Sequence, residues 1–188
     1  MNLQDKINEL YSTPSDINEH FPVILKYGSK CNHITEMGVR SIISTWGWLA
    51  CVPKKLICYD LEDPVKWGGN IQEVYDVAEK YGVEFNFIQA NVLDIEIEPT
   101  ELLFIDTWHS YIQLSQELIK HSEYVSKYIC FHDSTSYETH DEPINFKYEA
   151  SKFGVWTAID EFLEINKNKW KLKERFVNNN GFTIIERI

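Results

Sequence analysis

Residues 102–111 read LLFIDTWHSY, an apolar run that stops at Asp106, with His109 three positions on and Tyr111 two beyond that. A short apolar run bounded by polar residues reads as a buried strand, and a carboxylate at its mouth must be solvated, paired or liganded. The same form recurs on either side, in HITEMG (33–38), KLICYD (55–60), EFNFIQA (84–90) and YICFHD (128–133). Between these runs lie helical patterns over about 41–51, 69–81, 111–125 and 155–167. Strands alternating with helices of ten or more residues imply right-handed crossovers and a parallel sheet covered on both faces, a doubly wound α/β fold. The last stretch, WKLKERFVNNNGFTIIERI, departs from that rhythm: two alternating runs meet at Asn178–Gly181, residues that tolerate positive φ in a hairpin turn. The expectation is a mostly parallel seven-stranded sheet ending in a C-terminal antiparallel hairpin.

Two amphipathic stretches, 2–11 and 15–28, open the chain as leading helices within residues 1–30, the second capped by Ser15 or Asp16. At 188 residues and 44% hydrophobic content, the chain suits one domain spanning 1–188. The net charge of -11 argues against a nucleic-acid partner, which needs clustered Lys and Arg. Cys31, Cys51, Cys58 and Cys130 show no CxxC spacing, so buried free thiols are expected rather than a zinc site or disulfides. No apolar stretch approaches the roughly 18 residues of a membrane span, and MNLQDKINEL lacks a signal pattern, so a cytoplasmic protein with no membrane partner is expected. The basic KNKWKLKER reads as the solvated face of an edge strand, where lysines discourage pairing with another sheet.

Every expected strand ends in polar residues: Glu36 and Gly38, then Asp60, Asn91, Asp106, and finally His132 with Asp133. A parallel sheet puts all of them along one edge, the carboxyl edge where open α/β sheets bind ligands. Any one strand-end acid can instead cap the following helix, and Glu36 can pair with Arg40. The first turn, HITEMGVRSIIS, has a single glycine, which disfavours a nicotinamide dinucleotide, whose pyrophosphate needs glycines for close backbone approach. It suits a ligand without phosphates that carries an amine or cation near Glu36. Asp60 is placed to accept hydrogen bonds from a ribose diol.

EMGVRSIIST, LICYD, LLFIDTWHSY and CFHDS, in this order and followed by the antiparallel tail, resemble the class I S-adenosylmethionine-dependent methyltransferases with their Rossmann-like fold. The resemblance runs from about residue 30 to the C-terminus and is nearest to the small-molecule O-methyltransferases of the mycinamicin and tylosin sugar type, with cephalosporin-biosynthesis relatives. It implies S-adenosylmethionine as cofactor, with Glu36 and Gly38 by its methionine part, Asp60 on the ribose, and Asn91 near the adenine. Trp67 would cover the adenine or else pack on the core. It further implies a divalent cation at Asp106 and the pair His132–Asp133, and His109 as general base toward a sugar hydroxyl, in sugar O-methylation within glycan biosynthesis. A divalent cation lowers a hydroxyl's pKa and an imidazole takes its proton, so the assignment is chemically coherent. The family has an acid where this chain has His132. Magnesium favours oxygen ligands, so the imidazole points toward manganese, or makes His132 a second candidate base oriented by Asp133 or Asp106.

Residues 134–154 form the only long irregular stretch, with Tyr137, His140, Phe146 and Tyr148 interleaved with Asp141 and Glu142 and followed by Trp156. It reads as a substrate lid whose aromatics stack on a small-molecule or glycan acceptor and whose acids bond its hydroxyls, with Trp156 in the core. An apolar patch on the leading helices would serve a homodimer or cap the cofactor pocket. Two rival functions remain: a non-catalytic cofactor or nucleotide-sugar binding module for glycan assembly, and an NAD-dependent sugar-modifying enzyme.

Overall fold

A computed structural model describes residues 2–143 and 150–188. Phe146 and Tyr148, expected in the lid, lie outside the described residues. Five parallel strands, β1 (His33–Met37), β2 (Lys55–Asp60), β3 (Glu84–Gln89), β4 (Thr100–Ile105) and β5 (Val125–His132), are joined by β6 (Trp170–Phe176) and β7 (Phe182–Arg187). The order is β3-β2-β1-β4-β5-β7-β6, with β7 antiparallel to both of its neighbours. The order reverses between β1 and β4, so the crevice for a ligand opens at their carboxyl ends. The doubly wound sheet and its antiparallel tail are as the sequence predicts.

The alternation of a strand splits β4 between two cores. Leu102 and Phe104 join the cluster beneath α1 (Leu3–Ser12), α2 (Phe21–Gly28), α3 (Ile43–Ala50) and α4 (Ile71–Tyr81). Leu103 and Ile105 join the cluster beneath α5 (Tyr111–His121) and α6 (Val155–Ile165). With both faces buried, a strand becomes the continuous apolar run that LLFI displays.

Three boundaries differ from expectation. The second leading helix starts at Phe21, not near Ser15, because Pro22 lacks an N–H and fits only the first helical turn. Ser15 instead accepts hydrogen bonds from the backbone of Ile17 and Asn18 ahead of a short 3-10 turn. β5 begins at Val125, directly after a 3-10 turn at Ser122–Tyr124, where a longer α5 was expected. The expected apolar patch on the leading helices is consumed internally: Leu3, Ile7, Phe21, Ile24 and Tyr27 are all core residues. The four cysteines are free, and three of them are buried. β6 is an edge strand whose Lys171 and Lys173 pair with Glu186 of β7, the solvated arrangement expected of it.

Candidate active site

Gly38 follows β1 at φ 86, and a Cβ there would sit 1.9 Å from the carbonyl oxygen of Asp106. Only glycine lets the turn after β1 lie against the end of β4. Beyond it Arg40 (φ 47) and the buried Ile42 (φ 61) also adopt left-handed backbone, which is unusual for a β-branched residue. The turn is held by Asp60, whose Oδ2 accepts from the backbone N–H groups of Val39 (2.7 Å) and Arg40 (2.8 Å). Its Oδ1 accepts from the N–H of Glu62 at 2.9 Å.

This turn walls a cavity of about 480 Å³ at the carboxyl ends of the strands. Gly38, Asp60, Trp67, Asn91 and Asp106 all line it, together with Arg40, Tyr59, Thr107 and Trp108. Trp67 is 46% exposed, so it stands on the cavity rim and is not packed in the core. Its Nε1 donates to Glu62 (3.0 Å), and the Arg40 guanidinium lies 5.5 Å from its ring centroid. The Asn91 side chain braces its own turn, accepting from the Leu93 N–H and donating to Asp94, so it contributes wall rather than a free polar arm.

Glu36 corrects the sequence expectation. It is wholly buried and not among the residues lining the cavity, accepting from Ser44 and Thr45 (both 2.6 Å) and from the Cys58 thiol (3.1 Å). Burial pushes its carboxyl up to about 7, against the pull of those three donors. It neither touches Arg40 nor lines the cavity; it ties β1 to the first turn of α3. No described residue of 1–30 lines the cavity either, so the leading helices do not cap it.

Asp106 belongs to the cavity wall and also to a second constellation. His109 Nε2 lies 3.1 Å from Asp106 Oδ1 and 3.1 Å from Asp133 Oδ2. Asp133 has φ 56, a left-handed turn immediately after β5 that aims its carboxylate back toward β4. His132 Nδ1 lies 3.1 Å from Asp133 Oδ2 and 3.4 Å from Asp106 Oδ1. On its other side His132 Nε2–H donates to the carbonyl oxygen of Asp16 (2.8 Å). A carbonyl can only accept, so that bond fixes the proton on Nε2. Nδ1 is then left buried with no hydrogen bond of acceptable geometry.

The charges interlock. Burial works against ionised Asp106, but the imidazoles of His132 and His109 outweigh it and hold the carboxyl below the usual range. Burial also opposes a charged His109, yet Asp106, with Asp133 and Glu142, pushes it up to about 8. His132 rises well above the ordinary histidine value for the same reason, overcoming its own burial.

Asp106, His109 and Asp133 offer ligand atoms within 4.8 Å of one another, and the unpartnered His132 Nδ1 faces the same two carboxylates. Two carboxylates and an orphaned imidazole nitrogen fit a divalent cation that tolerates nitrogen. His132 is only 2% exposed and has Asp16 behind it, so as a second base it would have no open approach to an acceptor.

The stretch expected as a lid contributes partly exposed acids that have partners within the protein. Asp141 Oδ1 accepts from the N–H groups of Tyr111 (2.8 Å) and Gly154 (2.7 Å), and Glu142 reaches the His109 ring (3.0 Å). Tyr137 stacks on that ring at 4.8 Å with planes 1° apart. Trp156 packs against the core cluster as expected, partly buried, with the Arg175 guanidinium 3.7 Å from its ring centroid. Sequence reasoning gave Arg40 only as a partner for Glu36 and Asp16 only as a helix cap, and it did not name Thr107.

No family model and no curated protein sequence matches the chain. Its fold is shared with solved structures at low identity. A Klebsiella pneumoniae protein assigned as an O-methyltransferase superposes with a TM-score of 0.62 at 14% identity, covering 100% of this chain and 90% of that one. The Podospora anserina methyltransferase PaMTH1, solved with S-adenosylhomocysteine, gives 0.59 at 14% identity over 99% of this chain and 87% of that one. The ribosomal protein L11 methylase of Lactobacillus delbrueckii subsp. bulgaricus gives 0.53 at 11% identity, over 89% and 78%. The shared feature is the Rossmann-like methyltransferase fold, and the names of these neighbours span different acceptors.

Proposed function

We propose that the chain is a methyltransferase that moves the methyl group of S-adenosylmethionine to a hydroxyl of a small molecule or glycan, above all a sugar. The observation that carries this is the double membership of Asp106, which walls a cavity of about 480 Å³ and also stands 3.1 Å from His109. A methyl donor in the cavity and a proton acceptor beside it would then meet at one carboxylate. The volume and the mix of aromatic and acidic walls suit a nucleoside. Asp60 would take the ribose, Trp67 and Asn91 would border the adenine, and Gly38 would let the donor approach the backbone.

In the reaction the acceptor oxygen attacks the methyl carbon in line, the carbon–sulfur bond breaks, and its electron pair returns to sulfur as the neutral thioether. The hydroxyl proton passes to His109. The largest contribution comes from holding oxygen and methyl in line, with proton removal worth typically 10²–10⁴-fold. Asp106, Asp133 and His132 Nδ1 would hold a divalent cation, which when bound supplies Lewis acidity that makes the hydroxyl easier to ionise. Calorimetry with S-adenosylhomocysteine tests the reading: micromolar binding supports it, and no heat at millimolar ligand would end it.

One observation favours a second arrangement. Asp106, His109 and Asp133 themselves close a three-donor group, so His109 in place of His132 would complete the cation site. Titrating manganese into His109→Ala and His132→Ala separates the two, since only the true ligand's loss abolishes binding. A purely binding module predicts that cofactor binds while His109→Ala has no effect on any transfer.

A further inference from the structure

We propose that Thr107, with Gln113 beside it, reads an amino group of the bound ligand, and that the buried Glu117 is the positioning residue that makes both of them acceptors. The inference rests on the methyltransferase reading and deepens it, because the donor carries two amino groups, one on the adenine ring and one on its amino-acid tail. Thr107 and Gln113 both line the cavity of about 480 Å³. Behind them stands Glu117 of α5, with no exposed surface. Its Oε1 accepts from Thr107 Oγ1 (2.7 Å) and from Gln113 Nε2 (2.8 Å). A hydroxyl has a single hydrogen, so once that is given to Glu117 the Thr107 oxygen can only accept. An amide that turns its NH₂ to Glu117 keeps its carbonyl oxygen as an acceptor.

The other acceptor side chains of the wall are already engaged. Asp60 meets three backbone N–H groups, Asn91 accepts from the Leu93 N–H, and Glu62 accepts from Trp67 and Lys66. An amine that leaves water for the cavity needs an acceptor there, since burying it unpaired is unfavourable. Thr107 and Gln113 are held ready for it. The Gln113 N–H donates to Ser110 Oγ (3.2 Å), the cap of α5, and Glu117 follows Gln113 by one turn on the same face. A buried carboxyl is costly unless hydrogen-bonded, and both of these bonds go to residues of the ligand cavity. Burial pushes Glu117 up to about 7. Its Oε1 already meets two donors while Oε2 meets none, so a proton taken up goes to Oε2 and both bonds keep their direction.

Calorimetry on the full chain with three ligands tests this: S-adenosylhomocysteine, S-inosylhomocysteine, which has oxygen in place of the ring amine, and the deaminated analogue, whose tail lacks its amine. The wild type is expected to bind the analogue lacking the amine that is read about tenfold or more weaker than S-adenosylhomocysteine. Thr107→Val keeps the shape and loses the oxygen. It is expected to weaken S-adenosylhomocysteine about 3- to 10-fold and to leave that one analogue within a factor of about 2, which also tells the ring amine from the tail amine. Thr107→Ser, which restores a hydroxyl, is expected to restore the preference. Glu117→Leu is expected to narrow the preference in the same way; if it does not fold, Thr107→Val decides alone. Equal losses for all three ligands in Thr107→Val, no loss at all, or an unchanged preference in folded Glu117→Leu overturns the proposal. A wild type that binds none of the three defeats the methyltransferase reading and the proposal with it, whereas binding with unaltered preference in the variants defeats the proposal alone.

Discussion

On the β1–β3 side of the cavity the acid is satisfied by backbone: Asp60 accepts from three N–H groups within two residues of Gly38, of itself, or of the turn between. On the β4–β5 side the acids face imidazoles, with Asp106 and Asp133 shared between His109 and His132. Backbone donors cannot titrate or leave, so the first side is a fixed cradle for a ligand that is neutral or cationic where it meets the acid. Imidazoles exchange protons near neutral pH, so the second side can accept one in a reaction. Under the proposed function the division of labour would be binding on one side and proton transfer on the other.

The sharpest way to break that division is His109→Ala. It is expected to lower kcat by about 10²–10⁴-fold while the affinity for S-adenosylhomocysteine, measured by calorimetry, stays within a factor of about 2. A large loss of affinity would mean that the two sides are not separable. In the wild type the base must be unprotonated. With His109 near 8, kcat/KM is expected to fall about tenfold per pH unit below that value and to level off above it. Stability runs the other way. A folded value raised above the unfolded value of about 6.5 stabilises the fold fully below pH 6.5 and ceases to do so as pH rises through 8. Thermal melts of wild type and His109→Ala should therefore differ most at pH 6 and converge by pH 9.

Asp60→Ala tests the other side and should do the reverse. Losing an ionic hydrogen-bond acceptor worth about 1.5–3 kcal/mol weakens cofactor binding by about 10- to 100-fold. At saturating cofactor kcat should remain near the wild-type value, because nothing that handles the proton has changed. Asp60 also holds Val39 and Arg40 in their turn, so melting temperature is expected to fall with affinity. A variant that binds normally but turns over slowly would reverse the assignment of the two sides.

The sheet was legible because its signals are local and repeated. Five apolar runs with polar ends, and the NNNG turn before the last strand, depend only on neighbouring residues. The strand-end positions Gly38, Asp60 and Asp106 were legible by the same route, since topology alone brings them to one edge. Glu36 was misplaced because alternation along a strand places a side chain on a face of the sheet, while only the three-dimensional position of Ser44, Thr45 and Cys58 reveals which groups satisfy it. Glu142 was seen as a lid acid free to bond an acceptor. Its real partner is 33 residues away in sequence, and no periodicity links them. Pro22 carried a plain signal in HFPVILK, where a proline four residues past any cap near Asn18 forbids a continuous helix from 15.

Trp67 gives the smallest and most discriminating contrast, because it belongs to the binding side yet sits in the 3-10 turn Pro64–Trp67 and not on a strand. It hangs on the rim by its bond to Glu62 and by the Arg40 guanidinium above its ring. If it only covers the adenine, Trp67→Ala removes stacking worth about 0.5–1.5 kcal/mol, a two- to tenfold loss of affinity, with kcat unchanged. Binding should also quench wild-type tryptophan emission more than that of Trp67→Ala. If Trp67 instead orders Arg40, its loss releases a residue held at φ 47, and the turn that Asp60 grips would loosen with it. The two roles part in the double variant Asp60→Ala/Trp67→Ala. Independent contacts add in free energy, whereas a shared turn makes the second substitution cost less than it does alone.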